Sequence, residues 1–254
     1  MGDIMSIIDS FDNISEEILK PSYVTAPIEN FPEVVIATFN ENIINLVRNK
    51  YDAVGISEMN ACFTIPIYKM NYNGKDIAVY QTILGGAGSA GLLEEVIVKG
   101  GKKFIFFGSC GTLDKGVAAG HFIIPTAAFR DEGTSYHYAP AGDYIEIYTS
   151  NKLADIFNEL KIPYIKTKTW TTDALYRETR KNMMDRKSDG CLAVDMECAS
   201  IMSVSQFRKV ELYQFLYGED TLDGVEWDSR TMGKVQISSF EKYLQTALEI
   251  AVRV

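Results

Sequence analysis

The sequence predicts an α/β protein, one domain built as a three-layer α/β/α sandwich around a central mixed β-sheet. Short apolar runs of strand length alternate with segments whose apolar residues recur at helical spacing. One pair of β-rich runs meets at Asn73-Gly74, a dipeptide favoured in hairpin turns, and inserts an antiparallel step. The 254 residues are 46% hydrophobic, enough for one sizeable core, and contain no repeat or low-complexity linker.

Taken in order, residues 1–32 carry Pro21, Pro27 and Pro32 among many polar side chains and predict a surface arm with one short helix around Ser15 to Leu19. The domain proper spans 33–254. "VVIATF" after Glu33 is a buried strand, and Ile43, Ile44 and Val47 mark the helix behind it. The hairpin occupies residues 63–84. "GGAGSAGLLEEVIVKGG" supplies a glycine-rich loop, a helix and a glycine stop. "KKFIFFGSCG" is a strand ending in a second glycine-rich turn, and "HFIIPTAAF" is another strand. A helix over 151–160, a strand in "IPYIKTKTW", a helix from Ala199 to Phe207, a strand from Val210 to Tyr217 and a helix from Ile237 to Val252 close the chain.

The 25 basic and 34 acidic residues leave a formal charge of −9, which speaks against a general nucleic-acid or anionic-membrane surface and for a small-molecule ligand. Cys62, Cys110, Cys191 and Cys198 are scattered with no CxxC pair, and His121 and His137 are the only histidines. Neither a disulfide framework nor a metal site is expected. No signal-like opening and no apolar run of membrane-spanning length occurs, so the expected location is the cytoplasm.

Several segments suggest chemistry. "AVDMECAS" sets Asp195 and Glu197 in a small, apolar run, where a carboxylate is costly without partners. Such acids belong either to a helix start or to a functional site. Gly86-Ala87-Gly88-Ser89-Ala90-Gly91 has the spacing G-x-G-x-x-G between strand and helix. The acid that would bind a dinucleotide ribose should end the next strand, yet that strand ends in "FFGSCG", so a dinucleotide site is disfavoured. The glycines otherwise serve an oxyanion at a helix N-terminus, close approach of a ligand, or a purely structural turn. In "GSCGTL", Gly108 and Gly111 allow close approach and Ser109 offers a hydroxyl. Glu219, Asp220 and Asp223 in "FLYGEDTLDGVEWDSR" form either a solvated acidic loop or part of the same crevice at the strand ends. In "TTDALYRET", Tyr176 can stack on a planar base or pack in the core.

In their order and spacing, "GSCGTL", "TTDALY", "AVDMECAS" and "YGEDTL", with "RDEGTSYHY" at Arg130 to Tyr138, resemble the nucleoside phosphorylase and nucleosidase superfamily from about residue 33 to the C-terminus. The resemblance implies a phosphorylase/hydrolase-like fold and cleavage of a nucleoside N-glycosidic bond, with inorganic phosphate as co-substrate and no cofactor. It implies that Glu197 binds the ribose hydroxyls with Met196 against the sugar, leaving Asp195 as a helix-start acid. It assigns Asp220 to protonation of N7 of a purine leaving group and Leu175 and Tyr176 to the base. Ser109, Cys110, Gly111 and Gly88 fall to the ribose and anion side. A homo-oligomer, dimer, trimer or hexamer, is expected.

The sequence departs from the family where phosphate is bound. Arginines expected in the loop after the first strand and before "GSCG" are replaced by Ile43 and Phe106. Phosphate would then rest on backbone amides around Gly88, on Ser109, or on Arg48, Arg130 or a lysine. The alternatives are water as the nucleophile, or a noncatalytic nucleoside-binding module.

Overall fold

The computed structural model describes residues 6–254. The strands are β1 (Val34–Thr38), β2 (Val54–Asn60), β3 (Thr64–Tyr72), β4 (Lys75–Gln81), β5 (Lys103–Thr112), β6 (Phe122–Asp131), β7 (Tyr144–Glu146), β8 (Tyr164–Thr172), β9 (Cys191–Asp195) and β10 (Glu211–Thr221). The helices are α1 (Glu41–Lys50), α2 (Gly86–Lys99), α3 (Ser150–Glu159), α4 (Arg180–Ser188), α5 (Cys198–Arg208) and α6 (Ile237–Ala251).

Parallel strands β4, β1, β5 and β10 form the centre of one mixed sheet. Every residue of β1 is buried, as a strand covered on both faces requires. Side-chain alternation divides the core in two. Val34 and Ile36 of β1, Ile105 and Phe107 of β5, and Tyr213 and Phe215 of β10 face α1, α3 and α6, against residues such as Val47, Phe157 and Leu248. Val35 and Ala37, Phe104 and Phe106, and Leu212 face α2 and α5, against Leu93, Val96, Ile201 and Val204. Each of the Val, Leu, Ile and Phe side chains among them contributes roughly 1.5–3 kcal/mol by leaving water.

The sheet does more than the expected sandwich. Beyond β5 and β10, strands β6, β8 and β9 continue until β9 pairs back onto β5, so β5, β10, β6, β8 and β9 close a ring. Register shifts at Gly218/Asp220, Pro125/Ala128 and Lys168/Thr169 accompany this closure. Extra residues of this kind bend and twist a strand. The "GSCG" segment consequently lies inside β5 and is not a turn beyond it, because its pairing to β10 runs on to Thr112. β10 likewise continues through Asp220 to Thr221.

The β3–β4 hairpin turns at Asn73 (φ 50°) and Gly74 (φ 80°), the positive angles for which this dipeptide is suited. The predicted helix near Ser15 to Leu19 is not formed; single 3-10 turns stand at Ile7–Asp9 and Pro21–Tyr23 instead. The arm is held by Glu17 to Arg208 at 2.9 Å and by Phe11 edge-on to Phe207 at 6.4 Å. Among the described residues no helix is long and apolar enough to cross a membrane.

Candidate active site

The two acids of "AVDMECAS" have opposite fates. Asp195 ends β9 and accepts from the hydroxyls of Thr169 (2.6 Å) and Thr171 (3.1 Å) and from the amides of Glu197 (2.9 Å) and Cys198 (2.7 Å). Burial pushes its carboxyl up and these four donors oppose the shift. It fastens the start of α5, as expected of a helix-start acid. Glu197 is 8% exposed; its Oε1 accepts from the Gly85 amide at 2.6 Å, and the Met196 amide also favours its ionised form. Its carboxyl is pushed up to about 8, first by burial, with the Gly85 amide opposing and the Asp195 charge adding. Among the described residues only the Tyr80 hydroxyl is both sealed from solvent and without a partner. The free Oε2 of Glu197 is therefore still reachable by a ligand.

Gly85 lies between β4 and α2 with φ +94°, an angle that suits glycine. Gly86 is required by proximity: a Cβ there would stand 2.1 Å from Ser200 Oγ on α5. Ser200 in turn donates to buried Glu132, which also accepts from the Ser135 amide at 3.0 Å. The glycine loop is thus drawn onto the start of α5, carrying the Gly85 amide to Glu197. The amides of Gly86, Ala87 and Gly88 open α2 and have no acceptor within the helix; Ala87 is exposed and Gly88 partly so. That end of the helix favours an anion.

Across the strands, Val194 of β9 pairs with Gly111 of β5, and Gly111 pairs with Asp220 of β10. This row spans two strand spacings, about 10 Å, with Glu197 just beyond one end and Asp220 at the other. Asp220 Oδ1 would lie 3.3 Å from a Cβ at Gly111, so this oxygen is turned over the glycine. Oδ2 accepts from the Trp227 indole N–H at 2.6 Å. Beside it, Glu219 is pushed up by burial, opposed by the Ser109 hydroxyl and raised by Asp220. Glu178 is pushed up to about 7 by burial and by the Asp220 charge.

The remaining predicted residues divide. Met196 is half-buried next to Glu197 and Ser109 is exposed on β5. Leu175 and Tyr176 form a 3-10 turn after β8, where Tyr176 is 92% exposed, so the core-packing alternative for its ring does not hold. The Cys110 side chain faces away from the row, buried among Ile123, Ala193 and Leu216, with Sγ donating to the Tyr217 carbonyl at 3.6 Å. Only its backbone can touch a ligand at the row. Arg48 stands exposed in the last turn of α1, 5.8 Å from the Tyr68 ring, without contact to the glycine loop. Arg130 is 4% exposed, and four of its five N–H donors go to Ser135 Oγ and to the carbonyls of Pro140, Gly142 and Ala139. Its guanidinium lies over Tyr136 at 3.8 Å and organises the loop after β6. Ile43 and Phe106 are core residues. Glu132, Glu178 and Trp227 went unassigned in the sequence, although all three lie in segments already singled out; only folding of the loops brings them to the site.

Comparison with known proteins agrees with this architecture. A purine nucleoside phosphorylase of the DeoD type from Buchnera aphidicola is 22% identical over 234 residues, covering 89% of this chain and 97% of that protein. Among solved structures, purine nucleoside phosphorylase from Toxoplasma gondii, determined with immucillin-H, superposes with a TM-score of 0.73 at 20% identity, covering 91% of this chain and 96% of that one. Uridine phosphorylase from Vibrio fischeri superposes with a TM-score of 0.74 at 18% identity, covering 94% and 100%. At these identities the solved structures speak for the fold. The sequence profile of the phosphorylase superfamily matches residues 33–252, nearly the whole ring of strands and its helical cover, and the chain belongs to that superfamily.

Proposed function

We propose that the protein is a nucleoside phosphorylase that transfers ribose or deoxyribose from a purine base to inorganic phosphate. The observation that carries this reading is the transverse row of Val194, Gly111 and Asp220, which ties the end of β9, just ahead of the buried carboxyl of Glu197, to the strand that carries a second carboxyl, Asp220. Glu197 holds the ribose hydroxyls through Oε2. A phosphate oxygen forms the new bond to C1′ while the C1′–N9 bond breaks and its electron pair enters the base. N7 takes the proton of Asp220 Oδ1, so the base departs neutral. Positive charge developing on the sugar favours the ionised form of Glu197, an interaction stronger in the transition state than before it. Phosphate rests on the opening amides of α2 and on Ser109.

Burial of Ile43 and Phe106, where the superfamily resemblance calls for arginines, favours a second reading in which water replaces phosphate. A panel of purine and pyrimidine nucleosides, incubated with and without phosphate and assayed for free base and sugar phosphate, separates the two. Phosphate-dependent purine release supports the proposal; equal release without phosphate supports hydrolysis; binding without release supports a noncatalytic module.

A further inference from the structure

Trp227 belongs to the loop that follows β10. The loop leaves β10 at Thr221 and is tied back by a two-way backbone bridge, the Thr221 amide to the Asp228 carbonyl at 3.0 Å and the Asp228 amide to the Thr221 carbonyl at 3.2 Å. Arg180, at the start of α4, donates to the Val225 carbonyl at 2.9 Å, and Lys187 pairs with Asp223 at 2.9 Å. These ties set the position of a side chain that is itself 60% exposed and so is not held by core packing. The polar contact its indole makes is the 2.6 Å bond to Asp220 Oδ2.

We propose that Trp227 is a positioning residue for Asp220: its indole N–H occupies Oδ2 and thereby commits Oδ1, the oxygen over Gly111, to carry and deliver the proton to the base. This rests on the phosphorylase reading. In the protonated acid, Oδ2 is the carbonyl oxygen and accepts the indole N–H while Oδ1 bears the proton. When the proton moves from Oδ1 to N7, the electron pair left on Oδ1 makes the group a carboxylate, and the same indole bond becomes charge-assisted. Hydrogen bonds to ionised groups are roughly twice as strong as neutral ones, so the bond strengthens as the base leaves and acts on turnover more than on binding.

The test compares Trp227→Phe with the unchanged protein on guanosine and on 7-methylguanosine, whose base already carries the positive charge at N7. The expected result is a kcat for guanosine lowered about tenfold, with KM little changed and 7-methylguanosine turnover retained, a tenfold loss corresponding to about 1.4 kcal/mol. In the Asp220→Asn background, Trp227→Phe should cost nothing further on guanosine. Independently of catalysis, the Trp227 indole ¹⁵N–¹H resonance, assigned by its loss in Trp227→Phe, should shift in Asp220→Asn while that of Trp170 stays in place. Equal losses on both nucleosides, a change confined to KM, or an unmoved Trp227 resonance would overturn the positioning role. If the unchanged protein cleaves neither nucleoside, the phosphorylase reading itself fails and takes this inference with it, a result visible before any variant is compared.

Discussion

Glu197→Gln should stabilise the protein, and by an amount that depends on pH in a defined direction. The carboxyl is 8% exposed, with its titration raised from 4.5 to about 8 by burial. Between those two values the folded protein holds a proton that the unfolded chain has released. The contribution of this group is therefore full below pH 4.5 and is lost as pH rises through about 8. At about 1.36 kcal/mol for each pH unit, the loss is bounded near 5 kcal/mol above pH 8 and stays below about 1 kcal/mol at pH 5. Glutamine keeps the oxygen that accepts from the Gly85 amide and removes the titration. For a chain of this size 1 kcal/mol corresponds to about 2 °C in Tm. Thermal unfolding of both proteins, at one protein concentration, should show Glu197→Gln higher by several degrees and at most about 10 °C at pH 8.5. The gain should shrink to about 1–2 °C at pH 5. A gain equal at both pH values, or none at pH 8.5, would refute the reasoning. The same substitution should lower kcat more than substrate affinity, a residue kept at a stability cost for the sake of the reaction.

The other predictions are more local. Asp220→Asn should lower turnover of a purine nucleoside about 10²–10⁴-fold and scarcely affect the 7-methyl analogue; parallel losses would show that Asp220 does not donate the proton. Gly86→Ala must displace Ser200, 2.1 Å from the new Cβ, and with it the loop that brings the Gly85 amide to Glu197, so KM for the nucleoside should rise; an unchanged KM would separate the loop from the site. Arg130→Ala strips partners from Ser135 and three carbonyls and should cost about 3 kcal/mol or more in denaturant unfolding, and Arg48→Ala should leave the apparent KM for phosphate unchanged. Phe215→Ala removes a ring stacked on Phe107 at 5.0 Å with Phe122 and Phe157 edge-on to it, and should cost about 3–5 kcal/mol.

The central layers of the fold are legible because their residues answer to one face each. Val34 to Ala37 are apolar without a break since both faces of β1 are covered, and Ile43, Ile44 and Val47 recur at helical spacing since α1 buries one stripe. The elements that escape are those whose local pattern is weak. Helix α4 reads Arg-Lys-Asn-Met-Met-Asp-Arg-Lys-Ser and buries only Met183, and β9 is five residues long and held by its partners on both sides. The ring closure is a matter of bulges and long-range pairing that no window of sequence contains. At the site, Asp195 and Glu197 stand out because two acids in an apolar run conflict with burial, and the conflict resolves differently for each. Which arginine is free is not legible: Arg130 lies in a segment that resembles the superfamily, but its guanidinium is consumed by the loop it organises. Trp227 shares the same limit, since it stands seven positions beyond Asp220 and only the bridge at Thr221 and Asp228 brings the indole back.

The measurement that bears most directly on the central claim is the product of single-turnover cleavage of a purine nucleoside in the presence of phosphate, read for the pentose by phosphorus NMR. The row from Glu197 to Asp220, with the opening amides of α2 beside it, predicts pentose 1-phosphate in an amount equal to the free purine, and none when phosphate is omitted. Free pentose at the same rate with or without phosphate would contradict it and make water the nucleophile.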